Sequence, residues 1–202
     1  MNADLNADLK ACVEQYKQKH NVANDPCAIF SEQADSIQEA ARRAALSRDS
    51  NGRKHDHQRR LPNVVLENVA RKLSRESFDN VKDFEDIMHI VDQNKVPWFG
   101  PLAIYDTAYR IGRKMKIEPE YVYLHAGVRV GCASFKISPD PKTKDQIKRD
   151  ELPVELQELA NQQTLAGVEN FLCVYKDGKL KEDQNDGCHS SSEKTSKNKG
   201  GC

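Results

Sequence analysis

Apolar side chains recur every three or four positions along most of this chain, the spacing that places them on one face of an α-helix. The pattern predicts an amphipathic helix from Leu5 to His20 and an alanine-rich helix from about Ser31 to Leu46. Pro62 is suited to begin a third helix, because its missing N–H would be unpaired at the first helical position in any case. The most regular repeat, at i, i+3, i+4 and i+7, is that of Phe84, Ile87, Met88 and Val91.

A helix with two contrasting faces is predicted between residues 101 and 115. When its residues are projected along the helix axis, the apolar side chains lie together and the charged ones lie opposite. The apolar face, which we expect in the core, contains Ile104, Ala108, Ile111 and Met115. The charged face, which we expect to point outward, contains Asp106, Arg110 and Arg113.

In the C-terminal third of the domain, the sequence pattern predicts two more helices and leaves one segment ambiguous. Pro153 can begin a helix, and apolar residues with helical spacing follow from Leu165 to Tyr175. The segment Y-V-Y-L at 121–124 is rich in strand-forming residues. No second run of this kind offers a partner strand, so we expect a helix or a turn there. The prolines and charges of residues 138–150 indicate an exposed loop.

These elements predict an all-α fold, a single compact domain of six to eight helices over residues 1–176 with a helix-hairpin-helix-like corner. A chain of 202 residues is long enough for one real core, because folding at this size buries roughly 70% of the surface of the unfolded chain. Residues 177–202 contain hardly any apolar side chains and cannot offset their own ordering entropy. We predict a disordered polar tail there.

Composition limits the classes of partner. The 31 basic residues balance the 31 acidic ones, so no global field draws the protein onto nucleic acid or an anionic membrane. No secretory signal and no apolar run of roughly 18 residues is visible, and we expect a cytoplasmic protein with no membrane partner. The six cysteines form no C-x-x-C pair. We therefore expect reduced thiols, no metal site and no cofactor.

Local charge is uneven nevertheless. Residues 42–60 carry seven basic and two acidic side chains, and they end in Arg59 and Arg60. With basic residues further along the chain they are expected to form one positive face, opposite an acidic helix at 83–92. Such a face suits a nucleic-acid backbone or an acidic protein partner, although charge clusters are often only solvated surface. The other basic residues of the face are Arg110, Arg113, Lys114, Lys116 and Arg129.

The stretch V-P-W-F-G at 96–100 predicts a tight corner between two helices. It resembles the L-P-G-h-G turn of helix-hairpin-helix modules, in which h is apolar, with Trp98 at the position of the first glycine. The resemblance implies that backbone N–H groups near Gly100 hold a phosphate, as helix N-termini can, and that Trp98 stacks on a base or sugar. The alternative is that Trp98 and Phe99 fill the core at this corner.

The next residues, Y-D-T-A-Y-R-I-G-R-K-M-K-I, resemble the D-T-H-V-x-R-h-x-x-R-L segment of helix-hairpin-helix DNA glycosylases. That resemblance implies a catalytic role for Asp106; the alternative is an exposed ion pair with Arg110 one turn later. Residues 45–176 also resemble a family of uncharacterised bacterial proteins, through words such as F-G-P-L-A-I-Y-D-T-A-Y-R-I-G. This second resemblance supports one coherent domain and implies no activity.

Histidines supply the last candidate chemistry. His55 and His57 form an H-x-H pair in a loop, and His125 could join them if the fold brings it near. They could assist phosphate binding or acid–base work, or they could be solvated loop residues. We therefore keep three hypotheses open: a nucleic-acid-binding domain, a protein-interaction scaffold, and an enzyme. The residues expected around the enzyme's pocket are Asp106, Tyr123, His125, His55 and His57.

Overall fold

The computed structural model describes residues 3–140, 142 and 145–181, and the predicted all-α domain is confirmed. One two-stranded antiparallel ribbon interrupts the helices in the described ranges. Short 3₁₀ turns lie at Val22–Asn24, Asp56–Gln58 and Arg149–Glu151. The regular elements, in chain order, are α1 Ala3–Lys19, α2 Pro26–Glu32, α3 Ile37–Leu46, α4 Asn63–Leu73, α5 Phe84–Gln93, α6 Pro101–Met115, β1 Val122–Tyr123, α7 Ala126–Ser134, β2 Gln146–Ile147 and α8 Val154–Val174.

Two apolar clusters form the core and divide these elements between them. Helices α3 to α6 pack around one cluster, which includes Phe84 and Ile111. Helices α1, α7 and α8 and the ribbon enclose the other, which includes Tyr16 and Phe171. Buried polar side chains form the candidate site, and they include Asp106 and Arg110 on α6, Glu169 on α8, Gln58 and His125.

The alanine-rich helix predicted from Ser31 to Leu46 is wrong as one element, because the chain breaks between α2 and α3. The side chain of Ser36 accepts a hydrogen bond from the N–H of Glu39 at 3.2 Å. This cap satisfies an N–H group that a continuous helix would have bonded internally. The break turns α2 across α6, where Asp25 at the start of α2 reaches Arg110.

Two residues of the segment Y-V-Y-L, Val122 and Tyr123, form a strand, contrary to the helix or turn that we expected. Val122 pairs with Ile147 and Tyr123 with Gln146. The partner lies inside the predicted loop 138–150, where Ile147 is buried among charged neighbours. A single buried residue in a two-residue strand leaves no alternating pattern, which is why the sequence did not show it.

The two helices predicted after Pro153 are confirmed as two halves of α8. The backbone leaves helical geometry at Gln163 and Thr164, where φ is −132° and 62°. The side chain of Gln163 donates to the carbonyl of His20 at 2.9 Å, which ties the kink to the end of α1. The second half of α8 carries Glu169 inward to the site.

Helix α6 differs most from its prediction. Ile104, Ala108 and Ile111 are buried as expected, but Asp106 is only 8% exposed and Arg110 only 1%. The outward charged face is therefore wrong for these two residues. A helix wheel assumes one buried side, whereas α6 packs against α2, α3, α5 and the turn at 56–58. The side chains on its far side are enclosed as well.

The corner between α5 and α6 exists, and its aromatic residues point in opposite directions. Phe99 is buried, while Trp98 is 81% exposed and has a φ of 76°, in the left-handed region that L-residues rarely adopt. The expectation that both side chains fill the core is therefore wrong for Trp98. Gly100 precedes Pro101, the first residue of α6, as predicted.

The predicted tail begins with five described residues, 177–181, and these are in contact with the domain. The side chain of Gln15 on α1 donates to the carbonyl of Lys181 at 2.8 Å and accepts from its N–H at 2.7 Å. Lys181 also lies over the ring of Tyr175. The rest of the predicted tail, residues 182–202, lies outside the described part of the chain.

Candidate functional site

Asp106 lies at the centre of the site, in the middle of α6. One of its carboxylate oxygens, Oδ2, accepts a hydrogen bond from Gln58 Nε2 at 2.6 Å. The same oxygen lies 3.0 Å from Nδ1 of His57. The exposed ion pair that we considered for Asp106 and Arg110 does not form; the carboxylate is instead held by two side chains of the turn at 56–58.

The turn at 56–58 is an ordered part of the site, so the view of its histidines as solvated loop residues is wrong. Nδ1 of His55 accepts a hydrogen bond from the N–H of His57 at 3.3 Å, and the two rings meet edge to face. Lys54 donates to the carbonyl of Leu61 at 2.8 Å and closes the loop behind them. His55 and His57 are both partly buried, and Gln58 is fully buried.

Arg110 is buried one helical turn after Asp106, and its guanidinium group contacts three side chains around the site. Its Nη1 donates to the hydroxyl of Ser47 at 2.8 Å, and its Nε lies 3.4 Å from the carboxylate of Asp25. Its Nη2 donates to Gln58 at 3.4 Å. Gln58 therefore links the guanidinium of Arg110 to the carboxylate of Asp106.

A second histidine–carboxylate pair faces the first. His125 lies at the N-terminus of α7, and its Nε2 makes a short hydrogen bond to the carboxylate of Glu169 on α8. Both side chains are buried. Nδ1 of His125 makes no hydrogen bond to any residue within the described ranges, and Nε2 of His57 makes none either. Each ring is thus fixed through one nitrogen and leaves the other available.

The environments of the two carboxylates shift their pKa values in opposite directions. Burial alone would raise the pKa of Asp106, but the hydrogen bond from His57 and the charge of Arg110 outweigh it and lower that pKa to about 2. Burial raises the pKa of Glu169 despite its hydrogen bond to His125. Asp106 also acts on Glu169 as a neighbouring negative charge, so the two pairs belong to one electrostatic unit.

The pKa values of His57 and His55 are also shifted in opposite directions. The hydrogen bond to Asp106 raises the pKa of His57 against the effect of burial. Burial, reinforced by the charge of Arg110, lowers the pKa of His55. At neutral pH, Asp106 is therefore ionised and favours the protonated form of His57, whereas His55 is neutral.

Two cavities adjoin this cluster. The smaller, of about 390 Å³, is lined by His55, Asp106, Arg110 and Glu169 among others. The larger, of about 1010 Å³, lies between α6 and α7 and is lined by His125. His57 and Tyr105 line both cavities and separate them. A further cavity, of about 750 Å³, lies beside the α5–α6 corner and is lined by other residues than this cluster.

Three donor atoms of the cluster could hold a metal ion. One atom each from His55, His57 and Asp106 lie within 4.8 Å of one another. As the side chains stand, however, His57 and Asp106 bond to each other, and His55 accepts from the backbone of His57. Hydrogen bonds within the group already occupy these donors, and the arrangement therefore suits proton transfer better than metal ligation.

The structure brings together four of the five predicted enzyme residues, all except Tyr123. The hydroxyl of Tyr123 donates to Glu85 at 2.7 Å, away from the histidines, although its ring lines the larger cavity. Sequence reasoning missed Gln58, Tyr105 and Glu169. Glu169 had a usable signal, because a carboxylate between Val168 and Phe171 interrupts the apolar face of α8.

The residues predicted to contact nucleic acid do not form one basic face. Arg110 is buried, contrary to that expectation. Arg113 pairs with Glu32 at 2.6 Å, and the exposed Arg129 pairs with Asp145 at 2.6 Å. Lys114 donates to the carbonyls of Glu32 and Ala34. Nucleic-acid binding stays a prediction, and Trp98, Arg59 and Arg60 are the exposed residues on which it now depends.

Comparison with known proteins leaves the site to be interpreted from its own geometry. No protein family, curated protein or solved structure similar to this chain was found. The resemblances to helix-hairpin-helix proteins and to a bacterial family therefore stay untested. None of the helices in the described ranges is both long enough and apolar enough to cross a bilayer.

We expect the two histidines of the turn to titrate separately, His57 above and His55 below the ordinary value of about 6.5. Asp106→Asn removes the main cause of the shift of His57, so the pKa of His57 should fall in that variant while His55 stays low. Histidine ring signals followed by NMR from about pH 4 to about pH 9 measure both values, because histidines titrate within that interval. The same pKa for His57 in both proteins would contradict the pairing with Asp106.

The raised pKa of His57 also gives the sign of its effect on stability. Folding stabilises the protonated ring, so this contribution is fully present below the unfolded pKa of about 6.5. It is lost as pH rises through the higher folded pKa. Asp106→Asn should remove this pH dependence from the free energy of unfolding.

Proposed function

We propose that this protein is an enzyme that acts by general acid–base catalysis. One observation carries the proposal: the rings of His57 and His125 line the same cavity, and each is oriented from behind by a buried carboxylate. A base or acid that is held by a third group is the arrangement that recurs in catalytic histidines. A histidine with a purely structural role would not need to line a cavity, whereas both of these rings do.

The two pairs divide the roles of acid and base. Asp106 stays ionised and raises the pKa of His57, which favours His57 as the protonated group that donates a proton. His125 has a free Nδ1 and is oriented through Nε2 by Glu169, so it can accept a proton while the carboxylate stabilises the resulting charge. Pairs of titratable groups whose pKa values are pushed apart are typical of acid–base sites.

Covalent catalysis by a thiol is not favoured. Cys173 is a cysteine on the wall of the larger cavity, and burial raises its pKa to about 11. A thiol with such a pKa is almost fully protonated at neutral pH and is a weak nucleophile. The supported reaction class is therefore one in which one proton is removed and another supplied, as in hydrolysis, elimination or isomerisation.

Incubation with a protein-free metabolite extract, followed by mass spectrometry, tests the proposal on many small molecules at once. We expect the wild-type protein to consume at least one compound that Glu169→Gln consumes far more slowly. Glu158→Gln, on an exposed face of the same helix, is the matched control and should behave as wild type. An extract unchanged by wild type, or equal consumption by Glu169→Gln, would overturn the proposal.

A further inference from the structure

The hydroxyl of Tyr105 is a buried polar group without a partner beside the two histidines. The residue is only 3% exposed, and its Oη has no hydrogen-bond partner in the described part of the chain. Buried hydroxyl groups are nearly always hydrogen-bonded, because leaving one unpaired costs free energy. The ring lines both cavities and lies against His125, with centroids 6.5 Å apart. Its unpaired hydroxyl indicates a ligand that supplies the missing partner.

Toward that ligand, Tyr105 presents a protonated hydroxyl, which can donate a hydrogen bond. Burial, together with the nearby charge of Glu169, raises the pKa of Tyr105 well above its ordinary value, so the hydroxyl keeps its proton. A protonated phenol in an enclosed site donates most strongly to a carbonyl, carboxylate or phosphoryl oxygen. An acceptor oxygen on the ligand is the partner that would use this donor.

The volume and the lining of the larger cavity indicate what kind of ligand it would hold. Its volume of about 1010 Å³ is at the upper end for small-molecule sites, and His57, Tyr105 and His125 contribute polar groups to its wall. The remaining wall is mostly aliphatic and aromatic, which favours a flat or branched apolar body. Its apolar residues include Leu61, Met88, Leu102, Tyr123 and Leu124.

A positively charged side chain, that of Lys176, lines the larger cavity. Arg129 is paired with Asp145, but Lys176 is exposed and its ammonium group makes no ion pair within the described ranges. An unpaired cation at the mouth of an apolar cavity favours a ligand with a negatively charged end. Trp98 extends the apolar wall into solvent at the same rim.

We propose that the larger cavity binds the substrate of this enzyme, and that the substrate is a small organic anion with an apolar body. An acceptor oxygen of the substrate takes the hydrogen bond of Tyr105 Oη, beside His57 and His125, and its negative group lies near Lys176. This assignment rests on the proposed acid–base function and names the class of compound on which that function acts.

Binding of 8-anilinonaphthalene-1-sulfonate, which joins aromatic rings to a sulfonate, tests the cavity directly by fluorescence. We expect saturable binding to one site in the wild-type protein. Ala126→Trp places a large ring at the wall of the cavity from an exposed position and should weaken binding by about tenfold or more, since the ring competes with the probe for the apolar wall. Ala133→Trp, an exposed position on the same helix outside the cavity, is the matched control and should bind as wild type.

Tyr105→Phe and Lys176→Glu test the two polar contacts. Loss of one hydrogen bond should weaken binding of the sulfonate probe by roughly three- to tenfold, and charge reversal at Lys176 should weaken it further at low salt. Tyr175→Phe removes a hydroxyl that is bonded to Gln15 outside this cavity, and it should leave binding unchanged. Thermal unfolding in the absence of the probe verifies that each variant folds.

The outcomes separate this proposal from the function on which it rests. Probe binding that is insensitive to Ala126→Trp and Tyr105→Phe would overturn the cavity assignment, even if a metabolite were consumed. Probe binding with the expected losses, but with no metabolite consumed, would overturn the catalytic role and leave the cavity as a binding site for organic anions. Both results as predicted support the two proposals together.

Discussion

Arg110→Met is expected to lower the free energy of unfolding by about 3–5 kcal/mol, the cost of breaking a buried charge pair from one side. Methionine fills similar volume but removes the positive charge beside the partly buried carboxylate of Asp25 and the donor to the hydroxyl of Ser47. It also frees Gln58, which holds Asp106. Urea unfolding with the m-value compared between proteins measures the loss.

Arg113 supplies a matched comparison three residues further along α6. Its ion pair with Glu32 is partly exposed, and such pairs contribute about 0–1 kcal/mol. Arg113→Met should therefore cost much less than Arg110→Met. Equal losses for the two variants would mean that the network around Arg110 contributes no more than a surface contact.

Asp106→Asn is expected to reduce turnover of a consumed metabolite by about 10²–10⁴-fold, the usual contribution of a positioned acid or base. Asparagine keeps the shape of the side chain and an oxygen for Gln58, but it no longer carries the charge that raises the pKa of His57. The variant should therefore fold and yet lack the protonated form of His57 at neutral pH.

The dependence of turnover on pH distinguishes this role from a structural one. In wild type, the acid form of His57 persists above the ordinary histidine pKa, so the alkaline limb of the rate profile should lie above about 6.5. In Asp106→Asn that limb should move to lower pH, with partial recovery of activity as the solution is acidified. A uniform loss at every pH would instead indicate misfolding of the site.

The helices were predictable because each has one apolar stripe, and local spacing alone determines where such a stripe begins and ends. The prediction failed where tertiary contacts enclose a helix. Asp106 and Arg110 lie on the polar side of α6, and only the packing of α2, α3 and the turn at 56–58 buries them. No local sequence pattern indicates that these elements pack against α6.

The candidate site was predictable in part for the same reason. His55, His57, Asp106 and His125 attract notice because such residues can carry acid–base chemistry, but their arrangement depends on contacts between residues 44 to 49 positions apart. Tyr105 was missed because an aromatic residue in a helix is ordinary until its burial is known. Glu169 interrupts an apolar face, but this interruption does not show which residues its side chain contacts. The strand at Val122–Tyr123 was missed because its partner contains one apolar residue.

The rate at which a consumed metabolite is turned over by Asp106→Asn, relative to a surface variant, tests the central claim most directly. Asp150→Asn makes the same chemical change at an exposed position outside both cavities. The paired histidines predict that Asp106→Asn is slower than Asp150→Asn by about 100-fold or more at neutral pH. Equal rates for the two variants would contradict catalysis by the His57–Asp106 and His125–Glu169 pairs.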